Sequence, residues 1–197
     1  MYVTQVIQDL VDRFRWNGLE CLKEKPTEYS ESFKKKIIEE IQEKTLSITQ
    51  IYAMGLLHDV GKIGVSEDII NKTSRLSDAE FASIKNHTNV GYDILKSIKE
   101  MPFLAVGAKW HHERYDGSGY PDGLAGEDIP LEARIICVAD SYDAMTSKRS
   151  YSAPKMQSDV RQEFVRCSGT QFDPVIADIM IRMIDDDIDY KMRDLSE

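Results

Sequence analysis

Four short clusters of this chain carry six side chains suited to holding metal ions. "HDVGK" sets His58 beside Asp59 and follows them with Lys62, "NHTNVG" carries His87, "WHHERYDGSGYP" pairs His111 with His112, and "VADSYDA" supplies Asp140. They include all four histidines of the 197-residue chain. Imidazole nitrogens and carboxylate oxygens suit iron, manganese or zinc, and one carboxylate can bridge two ions through its two oxygens. Asp59 is the natural bridge. Adjacent residues on a helix project about 100° apart, so His58 and Asp59 can address two neighbouring ions where a pair on one face could not. By the same geometry His111 and His112 converge on one ion only if the helix end is distorted or their side chains bend inward. Taken singly, each cluster has an ordinary explanation: a hydrogen-bonded histidine, a solvated lysine, a helix stop, a turn-rich loop.

The elements that must position these side chains read as helices. Apolar residues recur with helical spacing at Val3, Val6, Ile7, Leu10, Val11 and Phe14, and again at Phe33, Ile37, Ile38 and Ile41, with Pro26 between the two runs. A third helix is expected from about Ser47 to His58, stopped by Gly61 and Gly64. "LSDAEFASIKNHTNVGYDILKSI" opens with Ser77 and Glu80 at capping-box spacing and reads as one helix carrying His87. Pro102 begins another, expected to carry His111 and His112 before the long loop "DGSGYPDGLAGEDIP". Leu131 to Met145 and Pro174 to Ile184 read as the last major helices. No segment alternates as a strand does, except a short piece of "ARIICVA". The expected fold is all-α, a helical bundle with functional loops.

Composition narrows the function classes. With 42% hydrophobic and 30% charged residues the chain can bury a full core as one compact domain. Its longest apolar stretches fall far short of the ~20 residues that cross a bilayer, and the N-terminus lacks a secretory pattern. The expectation is a cytoplasmic protein with no membrane partner. Cys21, Cys137 and Cys167 form no CxxC pair and read as buried free thiols. A net charge of −9 argues against tracking a nucleic-acid polymer, although bound metals can reverse the local field for a small anionic substrate.

In combination the clusters resemble the HD-GYP family, a branch of the HD phosphohydrolases, over roughly residues 28–185. "HDVGKIGV", "NHTNVGYDIL", "HHERYDGSGYPDGLAGEDIPLEARIICVADSYDAMTSKRSY" and "GTQFDP" stand in family order and spacing. The resemblance implies a bundle of HD-domain type with a long GYP loop. It also implies a binuclear site with His58, Asp59, His87, His111, His112 and Asp140 as ligands and Asp59 as bridge. Lys62 matches the lysine facing the scissile phosphate, Asp143 and Arg149 match positions lining the nucleotide pocket, and Gly119, Tyr120 and Pro121 match the signature loop. Catalytic roles fall to Asp59 and Lys62. Family members hydrolyse cyclic dinucleotides, chiefly cyclic di-GMP, to linear pGpG or GMP. Some serve as interaction modules for GGDEF domains. Two divalent ions, iron or manganese, would hold both the attacking and the leaving oxygen of such a displacement. Gly61 and Gly64 are expected to let backbone approach the ligand.

The sequence departs from the family pattern at three places. One further histidine, on the helix before the HD pair, is replaced in this alignment by Tyr29, and no other histidine is left to serve. By resemblance, one ion keeps Asp59, His87, His111 and His112, while the other keeps His58, Asp59 and Asp140 and lacks a nitrogen ligand that Glu28, Glu31 or a water would have to replace. Lys25 stands where trinuclear members carry a glutamate, so at most two metals are expected. Finally, "KRSYS" puts Ser150 and Ser152 where the family has a proline and a cation. Two function classes stay open: a metal-dependent cyclic dinucleotide phosphodiesterase, or a degenerate domain that binds nucleotide or a GGDEF partner without turnover. The remaining segments are 1–27, a connector or homodimerisation helix, and 186–197, an acidic tail.

Overall fold

The computed structural model describes residues 6–7, 48–147, 153–188 and 192. Eight α-helices are labelled here in chain order. α1 is Ile48–Leu57, α2 Glu67–Ile70, α3 Asp78–Lys85, α4 His87–Leu95, α5 Leu104–Trp110, α6 Leu131–Thr146, α7 Gln157–Cys167 and α8 Pro174–Asp186. A 3-10 turn at Val60–Gly64 lies between α1 and α2, and another at Gly126–Asp128 precedes α6. Among the described residues there is no strand, only one isolated parallel bridge between Ser168 and Phe172. The all-α expectation holds, and "ARIICVA" is helical, inside α6.

α6 is the centre of the bundle. Ala133, Ile135, Ile136, Cys137, Val138 and Ala139 are buried in near-unbroken succession, as expected of a helix surrounded on all sides. α5 packs on α6, α1 and α4 pack on α5, and α7 with α8 closes the opposite side. α8 faces the core with Val175, Ile176, Ile179, Met180, Met183 and Ile184, a stripe at helical spacing in which each large side chain contributes about 1.5–3 kcal/mol on burial. Phe164 of α7 meets Phe172 with ring centroids 4.7 Å apart. Residues 6–7 are helical, and Val6 and Ile7 are buried in the same core.

Local signals explain the starts of two helices. Ser77 and Glu80 form the expected capping box on α3: Ser77 Oγ accepts from Glu80 N, and Glu80 Oε2 accepts from Ser77 N at 2.7 Å. Asp173 caps α8 through Val175 N at 2.8 Å, and Pro174 stands in the first turn, where its missing N–H costs nothing.

Four expectations are corrected. The helix expected to run through His87 breaks at Asn86, so His87 opens α4 instead of lying mid-helix. At the break the side chains of His87 and Thr88 turn back onto the carbonyls of Ile84 and Lys85, a local bonding pattern that competes with helix continuation. α5 stops at Trp110, which leaves His111 at its cap and His112 beyond it. α7 and the short α2 stand where the sequence reading places no helix. Few of α7's residues are apolar, yet Gln157, Val160, Phe164 and Cys167 are buried at three- and four-residue steps, and that stripe is the signal that could have found it. Lastly, Gly61 and Gly64 face α4. A Cβ on Gly61 would come 1.9 Å from His87 O and 2.5 Å from Gly91 N, and one on Gly64 would touch Val90. Gly61 is what lets the turn after Asp59 lie directly on the helix that starts with His87.

Cys137 and Cys167 are free and buried as expected, and Cys21 lies outside the described residues. So do the helix expected at Phe33–Ile41, most of segments 1–27 and 186–197, Tyr29, Arg149, Ser150 and Ser152.

Candidate metal centre and nucleotide pocket

Three histidines use one local device. Nδ1 of His58 donates to Gly55 O at 2.7 Å, that of His87 to Ile84 O at 2.6 Å, and that of His111 to Gly107 O at 2.8 Å. A carbonyl only accepts, so Nδ1 carries a proton and Nε2 is the nitrogen turned to whatever the ring faces. Each of these residues sits at or just past a helix end, and each bonds back one turn, aiming Nε2 inward. Helix termini are where backbone carbonyls are left over for such bonds.

All three Nε2 atoms converge on Asp59. Its Oδ1 lies 3.4 Å from His87 Nε2 and 3.8 Å from His111 Nε2. Its Oδ2 lies 3.3 Å from His58 Nε2 and accepts from Lys62 Nζ at 2.5 Å. Asp140, on α6, reaches the same side, with Oδ1 3.7 Å from His58 Nε2. The two oxygens of Asp59 are thus divided between two groups of donors. His112 completes the first group, its ring 4.1 Å from that of His111 and 5.2 Å from that of His87. One ligand atom from each of Asp59, His87, His111 and His112 falls within 4.8 Å of the others, close to the spread that N and O ligands at about 2.0–2.2 Å from one ion occupy. His58 Nε2 and Asp59 Oδ1 are buried without a hydrogen-bond partner among the described residues. Buried polar atoms are seldom left so, and a cation satisfies both. The donor set fits divalent metal ions.

Charge is unevenly distributed over this cluster. Burial opposes a charge on His58, but the carboxylates of Asp140 and Asp59 outweigh it and push its pKa up to about 10. Burial likewise opposes ionisation of Asp59 and Asp140, yet His58, joined at Asp59 by Lys62, holds both carboxyls below their ordinary value. Burial lowers His87 and His111, and brings His112 down to about 4.

The signature loop covers one flank. Tyr120 stacks on His112 with centroids 4.9 Å apart, and the Tyr120–Pro121 peptide is cis. Gly119 is required here, since a Cβ would lie 2.4 Å from Arg114 N. Glu113, unassigned from the sequence although adjacent to the histidine pair, is buried and clamps the loop: Oε1 accepts from Asp122 N at 2.7 Å and Gly123 N at 3.0 Å. Arg114 ties the loop to Gln171 at 3.0 Å, and Asp116 N donates to Thr170 O at 2.8 Å. Asp143 lies one helical turn past Asp140 and accepts from Ser147 Oγ at 3.0 Å; it does not line the cavity beside Tyr120. Lys62 is bound to Asp59, with 43% of its side chain exposed.

The HD domain family model matches residues 19–176. The chain belongs to the HD-GYP branch of the HD domain family. This HD-GYP chain is 38% identical over 165 residues to a cyclic di-GMP phosphodiesterase of Thermotoga maritima, covering 82% of the chain and 45% of that protein. It is 43% identical over 129 residues to the cyclic di-GMP phosphodiesterase response regulator RpfG of Xanthomonas campestris pv. campestris, covering 64% of the chain and 34% of that protein. The chain therefore spans less than half the length of these curated relatives. The crystal structure of a cyclic GMP-AMP specific phosphodiesterase from V. cholerae matches with a TM-score of 0.52 at 19% identity, over 95% of this chain and 48% of that one, a likeness of fold alone. Among the described residues no helix is long and apolar enough to cross a membrane.

Proposed function

We propose that this HD-GYP chain is a metal-dependent phosphodiesterase that opens a cyclic dinucleotide, cyclic di-GMP to pGpG or GMP. The observation that carries this reading is the division of the Asp59 carboxylate, Oδ1 toward His87 and His111 and Oδ2 toward His58. In this proposal His87, His111, His112 and Asp59 hold one ion, and His58, Asp140 and Asp59 hold a second, iron or manganese in each case. Bound there, divalent metal supplies the concentrated positive charge that in-line phosphodiester displacement needs. Asp59 sets the spacing of the two positions. The backbone carbonyls behind His58, His87 and His111 fix the ring orientations, so little reorganisation remains when substrate arrives. Lys62 stands three residues after Asp59 on a half-exposed side chain, and in this reading adds charge against the phosphate oxygens. The relatives' names support a cyclic dinucleotide as substrate.

A second reading, a domain that binds nucleotide or a GGDEF partner without turnover, draws on the His58 side, where the described residues provide a single imidazole. Anaerobic loading with iron or manganese, then product analysis on cyclic di-GMP, decides between them. Turnover to a linear product is expected. Failure in every metal, together with cleavage by Tyr29→His, would establish the binding module instead. A cytoplasmic setting, a domain spanning roughly residues 28–185 and dimerisation through segment 1–27 belong to the same proposal.

The two metal positions are expected to differ in affinity and in pH dependence. Three neutral imidazoles wait on one side, whereas His58 must release a proton before it can ligate. Below a pKa of about 10 that proton competes with the metal, so affinity on the His58 side rises with pH, about tenfold per unit between about pH 6.5 and 9. The three-histidine side stays nearly flat over that range. Calorimetric titration of the metal-free protein with manganese, repeated in buffers of different ionisation heat, counts the protons released at each step. Two steps of equal affinity and equal pH slope would contradict the assignment.

A further inference from the structure

Beside the histidine cluster lies a cavity of about 340 Å³, lined by His111, His112 and Asp140 and also by Tyr120, Phe81 and Lys85. Its other cation, Arg114, and one oxygen of Glu113 are already engaged. Arg114 donates to Ser118, Gln171 and Asp116 at 2.8, 3.0 and 3.4 Å, and Glu113 gives Oε1 to the loop amides. Lys85 differs. Among the described residues no carboxylate pairs with it, and its ammonium lies 5.1 Å from the centre of the Phe81 ring and 5.8 Å from that of Tyr120. A lysine in the last turn of α3 also complements the helix dipole. That role requires only a place on the helix, not an ammonium laid near two rings that line a cavity. Because Tyr120 stacks on His112, the cation stands one aromatic ring away from the metal-type ligands.

We propose that Lys85 binds the phosphate of the nucleotide that is not being cut, with Phe81 as the face on which that nucleotide's base stacks. This deepens the phosphodiesterase reading and rests on it. A cyclic dinucleotide carries two phosphodiesters, so when one lies at the histidine cluster the other must be met about a nucleotide away. A cation without a carboxylate partner offsets the cost of bringing that second anion into a cavity that also contains Asp140 and Glu113. Phe81 is 48% exposed, and stacking on any base requires only an accessible ring face. Lys85 thus governs substrate affinity, and the bond-breaking machinery is elsewhere.

The test compares metal-loaded wild type, Lys85→Gln and Lys85→Arg on cyclic di-GMP and on bis(4-nitrophenyl) phosphate, a diester with one phosphate and no second group for Lys85. Lys85→Gln is expected to raise KM for cyclic di-GMP on the order of 10-fold, with kcat within about twofold. Lys85→Arg recovers most of that affinity, and the small diester shows no matching rise in KM. Equal losses on both substrates, a fall in kcat alone, or no change overturns the inference. Should the wild type cut neither substrate, the phosphodiesterase reading fails separately, and equilibrium binding of cyclic di-GMP to the metal-loaded proteins still decides. Roughly 10-fold weaker binding by Lys85→Gln supports the site; unchanged affinity, or no binding by wild type, removes it.

Discussion

Asp59→Ala is expected to lose metal and turnover together, whereas Lys62→Ala keeps its metal and loses rate. The two residues are three apart and share a 2.5 Å ion pair, yet they stand in different relations to the cluster. Asp59 is the group that faces both sets of donors, with His58 at 3.3 Å from one oxygen and His87 at 3.4 Å from the other. In the proposed two-metal site its removal would take a ligand from both positions and leave His58 opposite Asp140 alone. Turnover by Asp59→Ala should fall to background, and elemental analysis should find substoichiometric metal. In the proposed role Lys62 supplies charge to the substrate and is no metal ligand, so its removal is expected to cost one preorganised electrostatic contact, on the order of 10² to 10³ in kcat. The paired measurement is metal content and kcat on the same samples. Full metal in Asp59→Ala, or lost metal in Lys62→Ala, would reverse these roles.

The second large effect is on stability and arises far from the histidines. Arg134 and Asp173 are both buried, and Arg134 Nη1 lies 2.5 Å from Asp173 Oδ2. Arg134 Nε also donates to Ile129 O at 2.9 Å, and Asp173 Oδ1 accepts from Val175 N at the start of α8. Asp173→Ala strands a guanidinium in the core, a change that costs about 3–5 kcal/mol, and removes a helix cap worth about 1 kcal/mol more. Asp173→Asn keeps an oxygen for the cap and should fall between. Urea unfolding of the metal-free proteins measures this directly, and a loss under about 1 kcal/mol for Asp173→Ala would show that the pair is not what anchors α8. The effect reaches the site as well. Asp173 ends the segment whose Thr170 and Gln171 carbonyls accept from Asp116 N and Tyr115 N of the signature loop.

The features legible in the sequence alone are those that are local or carried by residue type. The six metal-type side chains, the Ser77–Glu80 capping box, and the helices at α1, α6 and α8 rest on ligand chemistry, cap spacing and 3.6-residue periodicity, each readable within a short window. The match of four clusters in order and spacing also identifies the HD-GYP branch. Tertiary structure decided the rest, because it depends on contacts between residues distant in the chain. Whether His111 and His112 can serve one position turns on α5 ending at Trp110, and the break at Asn86 places His87 against Asp59 through the Gly61–Gly91 approach. The division of the Asp59 oxygens, the Glu113 clamp on the loop and the placement of Lys85 near two rings leave no periodic trace. Each exists only once helices from different parts of the chain have packed, since a side chain's partners are set by three-dimensional neighbours and its sequence neighbours say little about them.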